Sequence, residues 1–353
     1  MKHVIIPIFI SHRGCPNQCV FCNQRAITTR TGDVTVDDAR KTIDTWLLSI
    51  DRASTEIEIS FFGGSFTGIP MADQTAFLRL AKEYKDAGLV DKIHCSTRPD
   101  YIDRTILDNL KAWGMDVIEL GVQSFDEKVL ALSKRGHSAD AVYEAADLIK
   151  EYGFTLGIQL MIGLPGDSYD SCMYSVRETI KIKPSIARLY PTVVIKDTEL
   201  YEMQKDGRYV SPSQEEVLNT VKDMYLALEG SGIRVIRIGL KSNELIKGDS
   251  YHPAFGQLVR SRIARDEIEK QLDALMALLP ETDASCCPDR AAECAGGQLT
   301  IEIAGPSDLI NYASGHRQEN RIYFEEKYPG LRLVFRKDDG LTDFVLKEIP
   351  KGR

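Results

Sequence analysis

Three cysteines near the start of the chain have a spacing that suits metal chemistry. Cys15, Cys19 and Cys22 follow the pattern C-x-x-x-C-x-x-C, directly after the apolar residues 4–10. A loop with three thiolates can hold an iron-sulfur cluster by three of its four irons, which leaves one iron open to a substrate or cofactor. Clusters held for electron transfer alone usually have four protein thiolates. The spacing therefore indicates chemistry at the cluster itself.

Zinc is the alternative occupant, because thiolates two to four residues apart also suit that ion. A structural zinc site needs a fourth ligand, and His12 lies close enough in sequence to supply one. A second cysteine group, Cys286, Cys287 and Cys294, lies in a segment rich in turn residues. Adjacent cysteines chelate one ion poorly, so this group is either a second metal site or an exposed loop.

Bulk properties restrict the class of protein. The chain has 353 residues and a net charge of -8, which gives no general attraction to nucleic acid. No apolar run is long enough to span a membrane, and the first ten residues read as a strand and not as a signal peptide. Of eight cysteines, three belong to the metal-type motif. We therefore expect a reducing cytoplasm and no disulfide framework.

Strands and helices alternate through the first two-thirds of the chain. Six apolar strands are predicted at residues 4–10, 56–62, 93–96, 117–122, 155–162 and 186–195, with helices between them and one more strand at 233–240. Thr35 and Asp38 predict a capping box at the start of the first helix. Strands joined by helical crossovers lie parallel, so the sheet is either open and doubly wound or a full or partial barrel. In each case ligands bind at the carboxyl ends of the strands.

A glycine pair ends the second predicted strand. Residues 61–67 read Phe-Phe-Gly-Gly-Ser-Phe-Thr. Two glycines at a strand end let a ligand approach the backbone and leave carbonyl groups open to an ammonium group. Taken alone, the pair is most often a tight turn.

Taken together, these motifs resemble those of the radical S-adenosylmethionine (SAM) superfamily. The cysteine spacing has an aromatic residue before its last cysteine, and the glycine pair is similar to the motif that binds the methionyl amine. Further motifs at residues 96–101, 119–124, 134–137 and 189–195 resemble the radical domain of the catalytic subunit of the Elongator complex over about residues 1–240. Oxygen-independent coproporphyrinogen oxidase is a more distant likeness.

The resemblance implies a role for each matching position. Cys15, Cys19 and Cys22 would bind a 4Fe-4S cluster, and Phe21 would lie against the adenine of SAM. The remaining implied cofactor contacts are Gly63, Gly64 and Ser65 for the amine, Gln123 and Gln159 for the ribose and nearby polar atoms, and Arg135 for the methionyl carboxylate.

Three positions depart from the patterns of the relatives. Arg188 stands where the Elongator subunit has a lysine, and its cation would serve the SAM carboxylate or the substrate. Ser96 replaces a glutamate expected before Thr-Arg-Pro-Asp, and Gln159 replaces an acidic residue of the coproporphyrinogen relatives. His137 is interpreted as a helix-cap or supporting group.

The implied function is that of a radical SAM enzyme with a 4Fe-4S cluster and SAM as cofactors. Such an enzyme needs a reductant of the flavodoxin or ferredoxin type. A base of tRNA or other RNA is the substrate that the resemblance suggests. The alternatives are a radical enzyme acting on a small molecule or a peptide, and a noncatalytic metal-binding assembly protein. The sequence does not indicate an oligomeric state.

The organisation expected from these arguments has three parts. Residues 1–245 form a radical SAM domain, a partial (β/α)6 TIM-type barrel with parallel strands. Residues 246–297 form a linker of helix and loop, and residues 298–353 form a small α+β unit. This last unit is too short for an acetyltransferase domain, so acetyl-CoA use is not predicted. Its mixed charge favours a lid or a partner-binding role over RNA binding.

Overall fold

Seven parallel strands in chain order form the sheet of the larger unit, residues 1–253. A computed structural model gives these coordinates and describes residues 2–10, 15, 18–23, 34–240, 252–278 and 299–349. The strands are β1 (Lys2–Ile10), β2 (Thr55–Gly63), β3 (Lys92–Thr97), β4 (Val117–Gln123), β5 (Thr155–Ile162), β6 (Ile186–Pro191) and β7 (Arg234–Ile238). The sheet curls into a partial TIM-type barrel, with β1 and β7 at its edges. This confirms the predicted fold class.

Helices connect successive strands, and all but the one at Met71–Asp86 begin at a side-chain cap. They are α1 (Val36–Leu47), α2 (Met71–Asp86), α3 (Arg104–Ala112), α4 (Glu127–Leu132), α5 (Ala139–Glu151), α6 (Tyr169–Ile182), α7 (Glu199–Lys205) and α8 (Gln214–Gly230). The predicted capping box is confirmed, because Asp38 N donates to Thr35 Oγ1 and Thr35 N donates to an Asp38 carboxylate oxygen, both at 3.1 Å. Sequence periodicity missed α4, α7 and α8.

The two faces of the barrel strands differ in environment. On β1, Ile6, Ile8 and Ile10 are buried, whereas Pro7 and Phe9 between them are only half-buried. Side chains alternate along a strand, so the buried set faces the helices and the half-buried set faces the barrel interior. β6 ends at Pro191 and not at Ile195 as predicted, because proline has no N–H for a further ladder bond.

The second unit, residues 254–353, has its own core. It contains α9 (Phe255–Leu278), β8 (Leu299–Gly305), α10 (Ile310–Ser314), α11 (Glu319–Lys327), β9 (Leu331–Lys337) and β10 (Val345–Glu348). Its sheet order is β10-β8-β9. Ile268 and Leu272 of α9 pack with Ile303, Phe324 and Leu333. α9 lies in the range interpreted as a linker, and these side chains belong to the core of this unit.

No helix in the described part of the chain is both long and apolar enough to cross a membrane.

Candidate active site

The described part of the cysteine loop is anchored to two helix ends. Val20 N donates to Ser133 O at 3.2 Å, just after α4, and Leu200 N in α7 donates to Val20 O at 2.7 Å. Phe21 packs against the small cluster formed around Val20 and Leu200. Cys19 is buried, and Cys15 and Cys22 are half-buried. Val20 is thus held between the ends of α4 and α7 by backbone bonds that do not depend on the cysteine side chains.

Two arginines bring positive charge to the cysteines. Arg135 Nη1 donates to Cys19 Sγ at 3.2 Å. Arg98 is buried and pairs with Asp100 through bonds of 2.9 and 2.8 Å. Burial alone would lower the Arg98 pKa, but the bonds to Asp100 and the nearby Cys15 and Cys19 sulfurs raise it. Cations here suit a cluster whose thiolate ligands carry negative charge.

The next question is whether the described residues form a metal site by themselves. Across the described ranges, no three His, Cys, Asp or Glu side chains form a group that could hold a metal ion. His12 and the group Cys286, Cys287 and Cys294 lie outside the described residues. The role of the three cysteines at the N-terminal loop stays a prediction.

The glycine pair ends β2 in a conformation that a side chain would disturb. Gly63 has φ of +107°, and a Cβ there would lie 3.1 Å from Ile10 O. Gly64 N donates to Ile10 O at 2.8 Å. Ser65 is buried, where its hydroxyl lies 2.7 Å from Thr97 Oγ1 and accepts from Arg98 N at 3.2 Å. The pair therefore joins the end of β2 to the end of β1.

Gln123 closes β4 with an unusual backbone. Its φ is 72°, and the register between β4 and β5 shifts between Gly121 and Gln123. A non-glycine residue in this region is costly and often marks a functional site. A Cβ on Gly121 would lie 3.1 Å from Gln123 Nε2, so glycine is needed to seat this amide. Arg135 Nη2 also donates to Gly121 O.

The polar atoms at these strand ends fit a polar ligand. Within the described residues, Gln123 Oε1, Arg135 Nε and Arg98 Nη1 are buried and have no hydrogen-bond partner. Buried polar atoms are almost always paired, so unpaired ones gathered at one end of a barrel are those that a ligand would satisfy. SAM, with its ammonium, carboxylate and ribose groups, fits this set.

Ser96, Gln159 and Arg188 meet deeper in the barrel around a residue that sequence reasoning left without a role. Glu119 in β4 is fully buried. Its carboxylate accepts from Arg188 Nε at 2.6 Å, from Ser96 Oγ at 3.3 Å and from Gln159 Nε2. The guanidinium of Arg188 also lies over the ring of Phe62, 5.1 Å from its centroid. A carboxylate within the apolar run of residues 117–122 was the available signal.

A second buried carboxylate continues this network toward the start of the strands. Glu58 Oε1 lies 2.6 Å from His94 Nδ1 and from Ser60 Oγ, and Glu58 Oε2 lies 3.4 Å from His3 Nε2. Burial raises the Glu58 pKa, but hydrogen bonds from His3 and His94 outweigh it and hold this pKa far below its usual value. His94 Nε2 lies 3.8 Å from Glu119 Oε2. The barrel interior therefore holds a chain of polar groups from β1 to β6.

His137 precedes α5 and is buried beside the arginines. Its Nδ1 lies 3.2 Å from Ser138 O, and Ser138 is the N-cap of α5. Burial, with the positive charges of Arg135 and Arg98, lowers the His137 pKa to about 4. The imidazole is therefore neutral at pH 7.

Two family models match the chain. The Radical SAM superfamily model matches residues 9–178, and the Radical_SAM C-terminal domain model matches residues 184–265. The chain therefore belongs to the radical SAM superfamily. It is a radical SAM enzyme, and its family uses a 4Fe-4S cluster and SAM together with a reductant.

Individual relatives match more than half of this chain. The chain is 27% identical to the tRNA uridine(34) acetyltransferase of Methanocaldococcus infernus, over 62% of this chain and 48% of that protein. It is 30% identical to Elongator complex protein 3 of Homo sapiens, over 54% of this chain and 39% of that protein. The chain thus spans about half or less of these curated relatives.

A solved structure shows the same fold. The archaeal Methanocaldococcus infernus Elp3 with an N-terminal deletion matches with a TM-score of 0.61 and 22% identity, covering 76% of this chain and 63% of that chain.

Proposed function

We propose that this radical SAM enzyme modifies a base of tRNA or of another RNA. The observation that carries the proposal is the similarity, over 62% of this chain, to proteins whose names specify tRNA uridine 34. The strand-end motifs from which we infer the SAM site lie within residues 9–178, the segment that the Radical SAM superfamily model matches.

In the proposed site, the three cysteines of the loop bind the cluster and the strand ends bind SAM. Gly63, Gly64 and Ser65 receive the methionyl amine. Gln123 and Arg135 supply the unpaired polar atoms for the ribose and carboxylate. The adenine lies against Phe21. Gln159 and Ser96, which bind Glu119 here, support the ribose side of the site.

When bound, the cluster and SAM supply an electron and a 5'-deoxyadenosyl radical that takes hydrogen from an unactivated carbon. The chain's own residues position and shield these groups. Arg98 and Arg135 hold positive charge beside the cysteines. The apolar wall of Val20, Leu200 and Met203 keeps water away from the loop.

Acetyl transfer is outside the proposal. The matched segment covers only about half of the acetyltransferase relatives, and the second unit is short. We propose that this unit binds a partner. We further propose that a flavodoxin or ferredoxin supplies the electron and that the enzyme works in the cytoplasm, in keeping with its cysteine content.

The test is a comparison of cellular RNA from wild-type and deletion strains by nucleoside mass spectrometry. We expect one modified nucleoside to disappear on deletion and to return when the wild-type gene is restored. A gene carrying Cys15→Ala, Cys19→Ala and Cys22→Ala should not restore it. The matched control carries Cys286→Ala, Cys287→Ala and Cys294→Ala and should restore it. Identical nucleosides in both strains would contradict an RNA substrate.

A further inference from the structure

The inner face of the last two barrel strands carries a group of cationic and hydroxyl side chains. Arg188 of β6 and Arg237 of β7 are paired in register, and Tyr190 follows Arg188 on the same face of β6. We propose that Arg188, Arg237 and Tyr190 bind the carboxylate of a small organic acid, as a site separate from the one for SAM.

Arg188 is oriented for a ligand and only partly used. It is 5% exposed, and its Nε edge is occupied by the Glu119 carboxylate at 2.6 Å. Its Nη1 makes one long bond, 3.4 Å, to Tyr190 Oη. Nη2 is buried and has no partner among the described residues. One edge of the guanidinium is therefore fixed by Glu119, and the other edge is available.

Several side chains hold Arg188 in place, directly or through Glu119. Glu119 is held by Ser96 and Gln159, and the ring of Phe62 covers the face of the guanidinium. A flexible arginine loses side-chain entropy when it binds a ligand, and an arginine already held in place loses less. The network around Glu119 therefore preorganises the available edge of Arg188.

Arg237 adds a second cation, and no carboxylate of the described residues pairs with it. Within the described residues it forms no ion pair, and its Nε donates to Gly239 O at 3.1 Å. Tyr190 lies near both arginines: burial raises its pKa, and the charges of Arg188 and Arg237 oppose that rise. The Glu119 carboxylate neutralises the charge of Arg188, so the charge of Arg237 leaves the group with a net positive charge.

Side chains around the group are not fully buried. Tyr190, Arg237, Gln159 and Phe62 are each only half-buried, although they lie on inward positions of the barrel strands. The deep burial of Arg188 excludes a polynucleotide backbone from direct contact. A small acid is the ligand class that fits this depth.

The shape of the available edge favours a carboxylate. Nη1 and Nη2 are two parallel donors in one plane, which match the two oxygens of a carboxylate. Arg135 donates to Cys19 Sγ and to Gly121 O of β4. It is our candidate for binding the SAM carboxylate. The acid bound at Arg188 would therefore be a substrate. The inference rests on the proposed radical chemistry but not on RNA being the other substrate.

The binding experiment uses full-length, cluster-loaded protein under anaerobic conditions with saturating SAM. Line broadening of carbon-13 acetate is measured by NMR, with phosphate and chloride of equal ionic strength as competitors. We expect acetate to bind with a millimolar dissociation constant. Arg237→Gln and Arg188→Lys should each weaken it by about tenfold or more. Arg234→Gln is the matched control, because Arg234 lies on the same strand and is exposed.

Each possible result either supports the proposed acid site or overturns it. Retained SAM affinity in Arg237→Gln, with lost acetate binding, supports a separate acid site. Equal displacement of acetate by chloride, or phosphate binding without acetate binding, overturns it. A loss of SAM affinity in Arg237→Gln that matches the loss of acetate affinity also overturns it, because the arginines would then belong to the cofactor. If Arg188→Lys fails to fold, Arg237→Gln alone gives the decision. Acetate binding would stand even if deletion left cellular RNA unchanged.

Discussion

The two units bury very different groups. In the barrel unit, Glu58, Arg98, Glu119, Arg135 and Arg188 are all buried. In the described part of the second unit, the buried polar residues are Ser261 and Asn320, and neither is charged. Asn320 is satisfied by backbone carbonyls, since its Nδ2 donates to Ser261 O at 2.8 Å and to Tyr312 O at 3.0 Å.

This difference distinguishes residues that stabilise a fold from residues that form a binding site. Burying a charge is unfavourable unless it is well paired, and an apolar pair of similar volume is often as stable. The second unit forms its core from residues such as Ile303, Phe324 and Leu333. The buried charges of the barrel are therefore best explained by ligand binding.

The largest expected effect follows from removing the predicted cluster ligands. Anaerobically reconstituted wild-type protein should bind about four irons and four sulfides, with a broad visible absorption that dithionite bleaches. Cys15→Ala, Cys19→Ala and Cys22→Ala together should abolish both. The variant with Cys286→Ala, Cys287→Ala and Cys294→Ala should retain them. Full iron in the first variant and none in the second would place the cluster outside the barrel.

A matched pair of glutamates compares buried and exposed charge. Glu119→Gln removes the charge that balances Arg188, so it should lower the free energy of unfolding by about 3–5 kcal/mol. Glu302→Gln in the second unit breaks its 2.9 Å pair with half-exposed Arg336 and should cost at most about 1 kcal/mol. Urea unfolding of both variants measures this. Equal costs would remove the distinction between the units.

Lowering the pH should reveal how much neutral His137 contributes to the free energy of unfolding. Its folded-state pKa, about 4, is below the value of 6.5 for an unperturbed histidine. The unfolded chain therefore binds the proton first, and stability falls as pH drops below about 6.5. The loss should reach about 2 kcal/mol at pH 5. In His137→Asn this loss should be absent. Urea unfolding of cluster-free protein at pH 7, 6 and 5 gives the test, and parallel pH curves would show that His137 is not buried in a neutral form.

Sequence reasoning predicted the fold more completely than the site. The seven strands follow from apolar runs, and crossover helices require them to be parallel. Gly63 and Gly64 could be linked to a turn because their residue type restricts the backbone locally. The partners of Ser96, Gln159 and Arg188 could not be predicted, because their meeting at Glu119 depends on how four strands align across the barrel. Glu58 and His94 were missed for the same reason.

The smallest expected effect is that of removing the second unit. A chain ending at Pro253 should keep its iron and should form 5'-deoxyadenosine within about twofold of the full-length rate, because the assigned cofactor positions lie in the barrel. It should lose turnover of the true substrate. Failure of soluble truncated protein to bind SAM would show that the second unit is part of the cofactor site.

The central claim is that the cysteine loop and the strand ends of the barrel together support reductive cleavage of SAM. The direct measurement is 5'-deoxyadenosine and methionine formed after dithionite reduction of reconstituted protein, by quantitative mass spectrometry. Wild-type protein should form both products in equal amounts, slowly even without substrate. The variant with Cys15→Ala, Cys19→Ala and Cys22→Ala should form neither. Equal product from that variant, or none from wild-type protein with a full and reducible cluster, would contradict the claim.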